Sequence, residues 1–224
     1  MIKSLKNKII VSVQAMPNEP LYDEECMFAM MKSVVNGGAG GLRVAGARDV
    51  VNAKTLGVPV IGITKPEKLP DNWKEVVYIT PTLSEVELLI EADADVIAFD
   101  GTLRKRPNGC TLSDIVQKIK SAGKYSMADI STYNEAKVCA DLGVDLLSTT
   151  LSGYTLESIS DSNEPDFDLL KVISSKLTTP VILEGRIWEP EQVNKAFEFG
   201  AHSVVIGSAI TRPQLITKRF IQGV

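Results

Sequence analysis

The stretch DVIAFDGTLRKRPNGCTLSDIVQKIKSAGKYSMADISTYNEAKVCADLGVDLLST, residues 95–149, alternates short apolar runs with amphipathic runs of helical length. Residues 95–100, 125–129 and 145–149 read as strands, because each is a brief, largely apolar run with polar or turn-forming residues around it. Between them, residues 112–121 and 133–142 read as helices, followed by Gly123 and Gly143, which tolerate the left-handed turn with which many helices stop. This is the pattern of βαβ units, whose crossover helices return the chain to the same end of the sheet and keep the strands parallel.

The alternation persists outward in both directions. Residues 8–14, 41–45 and 59–64 read as strands before the quoted stretch, and residues 180–184 and 203–206 after it. Helices are expected at 24–36, 48–56, 84–91, 166–177 and 190–199, and from Arg212 nearly to the end. Residues 76–80 also have strand character, but they follow a polar, proline-containing excursion and are read as an addition to the third connection. Eight strands remain. A doubly wound open sheet uses the same alternation, but the count fits an α/β fold of another kind, a single (β/α)8 TIM barrel with parallel strands. Its one catalytic domain would fill residues 1–224, close to the usual barrel size of about 250 residues.

Composition narrows the function classes. Hydrophobic residues make up 44% and charged residues 23%, enough apolar material for one sizeable core. The net charge of −4 and the scattered Lys and Arg residues argue against a nucleic-acid surface. Cys26, Cys110 and Cys139 lie far apart without metal-ligand spacing, as expected of reduced thiols in a cytoplasmic protein. The first apolar run is broken by Gln14 and Pro17, too short for a signal segment, and no run approaches the roughly 20 residues that span a bilayer.

A closed parallel barrel gathers the C-terminal ends of its strands around one mouth. Gln14 ends the first strand, Arg43 lies in the second, Lys65 follows the third, Asp100 ends the fourth, Asp129 the fifth and Glu184 the seventh. Each alone fits a buried cap or ion pair; six together point to a site. Gly185 and Arg186 follow the seventh strand, and Gly207 and Ser208 follow the eighth just before a helical turn. Those are the connections where barrels most often bind phosphate, because glycine lets backbone N–H groups approach an anion. Tyr154 follows the sixth strand, either covering a ligand or lying on a surface loop. Arg104-Lys105-Arg106 reads as a solvated loop or as an electrostatic guide for phosphate, and the lone His202, near the start of the last strand, reads as structural.

The strings SVQAMPNEPL, GLRVAG, IGITKP, YITPT, AFDGTLRKRPNG, MADIST, STTLSGYT, ILEGRI and GSAITRPQLITKRF run in order from Ser12 to Phe220. Over nearly the whole chain they resemble the N-acetylmannosamine-6-phosphate 2-epimerase family, bacterial TIM-barrel isomerases of sialic acid catabolism. The resemblance implies a phosphorylated N-acetyl amino sugar as substrate, no metal or redox cofactor, and a homodimer. It implies that Lys65 and Glu184 are the catalytic pair, that Gln14, Arg43 and Asp129 arrange the substrate, and that Gly185, Arg186, Gly207, Ser208 and Arg212 hold the phosphate. The chain departs from the family pattern at Val13, Gly101 and Ser208, none of them an acid/base group.

The chemistry suits these residue types. Once the sugar ring opens, carbon 1 becomes an aldehyde and the carbon 2 proton becomes acidic; inversion then needs a base, donors for the enolate oxygen, and an acid on the opposite face. An ordinary lysine is a poor base at neutral pH, but burial beside Arg43 would bring Lys65 towards about 7–8. Two other readings remain open at this point: a Schiff-base aldolase using Lys65, and a phosphosugar sensor without catalysis.

Overall fold

The computed structural model describes residues 1–223. Eight parallel strands close into a barrel in sequence order: β1 (Ile9–Val13), β2 (Gly41–Ala45), β3 (Val60–Ile63), β4 (Val96–Asp100), β5 (Tyr125–Asp129), β6 (Leu146–Ser148), β7 (Val181–Glu184) and β8 (Ser203–Ile206), the last pairing back onto β1. Outside them run α1 (Glu24–Asn36), α2 (Ala47–Lys54), α3 (Leu83–Glu91), α4 (Leu112–Ser121), α5 (Tyr133–Asp141), α6 (Phe167–Lys176), α7 (Pro190–Glu198), α8 (Ser208–Thr211) and α9 (Pro213–Gln222). Closure removes every sheet edge, which is why short strands of three to five residues suffice.

Alternation along each strand separates two cores. Inward residues such as Ile10, Ile61, Ile63, Val96, Ala98, Met127, Leu146, Ile182 and Val205 fill the barrel, and Leu5 closes its N-terminal end. Outward residues such as Leu42, Val44, Phe99, Leu147 and Leu183 pack beneath the helices with Met31, Leu89, Ile119 and Leu170. Reciprocal capping boxes start four helices: Thr82 with Glu85 for α3, Thr111 with Asp114 for α4, Thr132 with Glu135 for α5, and Glu189 with Gln192 for α7.

The differences from the sequence expectations have local causes. Residues 76–80 form no strand; Val77 and Ile79 turn into the interior, and this segment bonds to the ends of β3 and β4 through Thr80 N–H to Thr64 O (3.1 Å) and Asp100 N–H to Ile79 O (3.0 Å). The helix expected from Arg212 is α9, which Arg212 caps and Pro213 opens, and the helical turn expected after Gly207 is α8. Neither reading of the Arg104 and Arg106 side chains holds. Arg104 bonds to Asp100 (2.7 Å) and to Lys74 O (2.9 Å), stapling the third connection to the end of β4. Arg106 is buried over the Phe99 ring; only Lys105 stands in solvent. At Gly101 any Cβ would lie 2.8 Å from Ala128 Cβ, so glycine here goes with a close approach of β4's end to β5.

Ile61 is fully buried in the barrel layer beneath the mouth. Ile61→Ala is expected to lower unfolding stability by about 2–5 kcal/mol, measured by urea denaturation, with the secondary structure unchanged by far-UV circular dichroism.

Candidate active site

The inward parity that fills the barrel with apolar side chains delivers polar ones at its C-terminal end. Two residues beyond Ser12 is Gln14; two beyond Ile63 is Lys65; two beyond Met127 is Asp129; two beyond Ser148 is Thr150; two beyond Ile182 is Glu184. Gln14, Lys65, Thr150 and Glu184 surround a cavity of ≈ 1040 Å³, lined also by Tyr78, Tyr154, Gly185, Arg186, Gly207, Ser208 and Arg212.

Arg43 and Asp129 lie under the floor of this cavity, fully enclosed. The Arg43 guanidinium donates to both Asp129 oxygens (Nη1 to Oδ1, 2.9 Å; Nη2 to Oδ2, 2.5 Å) and to Glu184 Oε2 (2.6 Å). One cation on β2 therefore holds two carboxylates from β5 and β7. Thr150 Oγ1 sits between the same carboxylates, 2.7 Å from Asp129 Oδ1 and 2.9 Å from Glu184 Oε2. Ser148 Oγ lies 2.8 Å from Thr150 Oγ1 and 3.4 Å from Glu184 Oε2. Thr149 ties the backbone in place: its hydroxyl accepts from Glu184 N–H and donates to Glu184 O, each at 3.0 Å.

Lys65 just outside β3 forms no salt bridge among the described residues. The residue is exposed at the mouth, but protein atoms crowd its ammonium; that crowding first, and the Arg43 cation second, push its pKa down to about 8, against the pull of Glu184 and Asp129. Burial raises the Glu184 carboxyl above its ordinary range, and Arg43 opposes the shift. Gln14 donates to Ser12 Oγ (2.7 Å), while its Oε1 is buried without a partner. Lys65 is carried by a chain pinned on both sides of Thr64: Thr80 Oγ1 accepts from Thr64 N–H (3.1 Å) while Thr80 N–H bonds to Thr64 O. Thr80 does this at φ 43°, a costly left-handed conformation for a β-branched residue.

The far rim carries the residues expected at a phosphate. Gly185 (φ 109°) and Arg186 (φ 57°) are both left-handed, which turns the chain sharply after β7. Gly207 precedes α8, whose first N–H groups lack helical acceptors. The two arginines are otherwise engaged. Arg186 donates to Ser152 O and Glu164 O, both at 2.7 Å, with its guanidinium 5.7 Å from the Tyr154 ring centroid, and Arg212 pairs with Glu19. A Cβ at Gly153 would lie 2.3 Å from Arg186 Nη1, so only glycine lets that arginine clamp the loop after β6. Tyr154 is half-exposed on the rim, 6.3 Å from the Trp73 ring. His202 bonds to Ile2 O (2.9 Å) at the opposite end of the barrel. Asp100, named beside these residues, is not part of the cluster: it is buried against Thr102 and Arg104.

Thr150 and Ser148 were not among the sequence candidates, nor was Tyr78. The signal for the first two was the same parity, continued along the sixth strand, whose hydroxyl residues look like strand-end solvent contacts until Asp129 and Glu184 are seen on either side.

Among known proteins, a family model described as "Putative N-acetylmannosamine-6-phosphate epimerase" matches residues 27–224. A protein of Clostridioides difficile (strain 630) named "Putative N-acetylmannosamine-6-phosphate 2-epimerase" is 44% identical, with the match covering 100% of this chain and 99% of that one. A namesake from Clostridium perfringens (strain 13 / Type A) is 45% identical over 98% of each. The solved structure of the N-acetylmannosamine-6-phosphate 2-epimerase from Clostridium perfringens superposes with a TM-score of 0.94 at 44% identity, over 100% of this chain and 96% of that one. Thiamine phosphate pyrophosphorylase from Pyrococcus furiosus, 14% identical with a TM-score of 0.63, shares the fold alone.

A lysine whose folded pKa lies below its unfolded value binds fewer protons when folded, so stability is reduced at low pH and recovers as pH rises. For Lys65 the window runs from about 8 to its ordinary 10.5. Unfolding free energy of the parent relative to Lys65→Met, measured by urea titration, is expected to rise across that window; a flat difference contradicts the depressed pKa.

Proposed function

The chain belongs to the N-acetylmannosamine-6-phosphate 2-epimerase family, and we propose that it interconverts N-acetylmannosamine 6-phosphate and N-acetylglucosamine 6-phosphate by moving a proton at carbon 2. The observation that carries this reading is the convergence of Lys65 and Glu184 on one mouth over a buried Arg43 that bonds to Glu184 and depresses the pKa of Lys65. In the open-chain sugar, neutral Lys65 takes the carbon 2 proton and negative charge develops on the carbonyl oxygen. Glu184, whose carboxyl burial pushes above its ordinary range, supplies a proton from the other side. Each group then holds the proton state the reverse reaction needs, which an epimerase working near equilibrium requires.

Arg43 and Asp129 serve from beneath the floor, fixing the carboxylate that meets the substrate. Gln14 offers its amide to the sugar's polar groups. The phosphate rests at the Gly185-Arg186 turn and at Gly207 and Ser208, held mainly by backbone N–H groups, since the Arg186 and Arg212 guanidiniums already have protein partners. Tyr154 lies on the rim where it covers the sugar. The three free thiols fit a reducing cytoplasm, and no helix among the described residues is long and apolar enough to cross a membrane.

Proton NMR of N-acetylmannosamine 6-phosphate in deuterated water tests the reaction. The parent is expected to form N-acetylglucosamine 6-phosphate with deuterium at carbon 2, while the unphosphorylated sugar reacts far more slowly. Lys65→Ala is expected to lose about 10²–10⁴-fold in kcat, and Glu184→Gln to lose inversion more than exchange. Borohydride trapping of the sugar on Lys65 would favour the aldolase chemistry instead.

The family resemblance also implies a homodimer, and α9 supports it: none of its side chains is buried, and Phe220 and Ile221 are 73% and 69% exposed. Sedimentation equilibrium is expected to give twice the 24.3 kDa chain mass, with Phe220→Glu shifting the protein towards monomer.

A further inference from the structure

Removing the carbon 2 proton drives negative charge onto the carbonyl oxygen at carbon 1, and the rate depends on a donor fixed where that oxygen stands. The strongest donor near the mouth is not free for it: Arg43 is enclosed beneath the floor, with both Nη groups spent on Asp129 and Glu184. Thr150 is taken up between the same two carboxylates. Tyr78 differs from both. It belongs to the cavity wall, and its hydroxyl, which is not sealed from the cavity, donates to no protein acceptor among the described residues.

The carboxylates nearest the phenol already have their donors. Asp100 accepts from Thr102 N–H (2.9 Å), Thr102 Oγ1 (2.6 Å) and Arg104 Nη2 (2.7 Å), and Asp129 accepts from Arg43 and Thr150. Burial first and the Asp100 charge second push the Tyr78 pKa up to about 12, with Arg104 opposing and Asp129 and Tyr154 adding to the rise. The phenol therefore stays protonated through the range in which Lys65, at about 8, titrates. It is a donor there and not a competing base.

We propose that Tyr78 is a further catalytic residue, whose O–H donates to the carbon 1 oxygen of the open-chain sugar in a bond that strengthens as negative charge collects there. This rests on the reading of Lys65 as the base at carbon 2. As Lys65 takes the proton, the C–H electron pair becomes the carbon 1–carbon 2 double bond and the carbonyl π pair moves onto oxygen. The return of a proton to carbon 2 reverses both shifts. Tyr78 keeps its own proton in every state, so the only proton that moves is the one exchanged at carbon 2.

Topology puts the phenol at the reacting end of the sugar. β7 and β8, whose connections are assigned the phosphate, lie opposite β3 and β4 in the barrel. A sugar with carbon 6 at that rim extends its carbon 1 end towards β3 and β4, where Lys65 and Tyr78 belong to one connection. The segment carrying Tyr78 is held firmly. Val77 and Ile79 on either side of it are buried, Ile79 O accepts from Asp100 N–H (3.0 Å), and Arg104 holds Lys74 O (2.9 Å). Thr80, strained at φ 43°, ties the end of the segment to Thr64 beside Lys65. A donor fixed before the reaction needs no reorganisation as the charge develops.

The test is Tyr78→Phe, which keeps the ring and removes the hydroxyl. Its kcat is expected to fall about 10²-fold with KM within about threefold of the parent, because the bond gains its strength in the transition state. Exchange of the carbon 2 proton in deuterated water, followed by proton NMR, is expected to slow by the same factor as inversion, since both pass through the enolate. Glu184→Gln, by contrast, is expected to lose inversion more than exchange. Should Tyr78→Phe fail to fold by circular dichroism, Tyr78→Leu carries the same comparison. A hydroxyl-free variant with the parent's kcat overturns the proposal, whether or not its KM rises, since a raised KM alone would make the hydroxyl a ground-state contact. So does a variant that exchanges at the parent's rate and no longer inverts, which would make Tyr78 an acid on the opposite face. A parent that exchanges no proton at carbon 2 overturns the epimerase reading itself; a parent that needs Lys65 and ignores Tyr78 overturns only the inference about the tyrosine.

Discussion

One guanidinium organises the mouth of this barrel. Arg43 reaches from β2 across the interior to Asp129 on β5 and Glu184 on β7, three strands that share no hydrogen bond with one another. Two carboxylates enclosed at this depth would repel each other and resist ionisation; with the cation between them, both become tolerable neighbours. The same charge acts on the third partner with the opposite sign, weakening the ammonium form of Lys65. A structural ion pair and a tuned base are therefore one arrangement. The layers beneath are largely apolar, with Ile10, Ile61, Met127 and Ile182 in one buried hydrophobic cluster.

The barrel was legible because closure and alternation leave a simple pattern: eight apolar runs with helices between them, each near its expected place. Boundaries failed where tertiary contacts override local pattern. Residues 76–80 have strand composition because Val77 and Ile79 must be buried, but β3 and β4 already pair with each other, which leaves this segment only the strand ends to bond to.

Charged residues of the site were legible for a similar reason: a Lys, Arg, Asp or Glu inside an apolar strand has few innocent explanations. A threonine has many. Thr149 and Thr150 are adjacent in the chain, and sequence cannot say which one caps the backbone of Glu184 and which one faces its carboxylate. The arginines misled in the other direction. Arg104, Arg106, Arg186 and Arg212 look like free positive charge for a phosphate, but Arg104 is spent on Asp100, Arg106 is buried over Phe99, Arg186 is spent on backbone carbonyls and Arg212 on Glu19. Long cationic side chains near a mouth find protein partners as readily as ligands, and only geometry separates the two.

The commitment of those arginines bears on how an anion would be held. A free guanidinium at the rim would bind phosphate strongly and, through its own charge, depress Lys65 further. Backbone N–H groups at Gly185, Gly207 and Ser208 are fixed dipoles whose influence falls off faster with distance than that of a full charge. Holding the phosphate with dipoles at the rim and keeping the one full cation, Arg43, under the floor separates the two tasks. On the proposed reading, affinity for the phosphate would be set at β7 and β8 without moving the pKa of Lys65 beside β3.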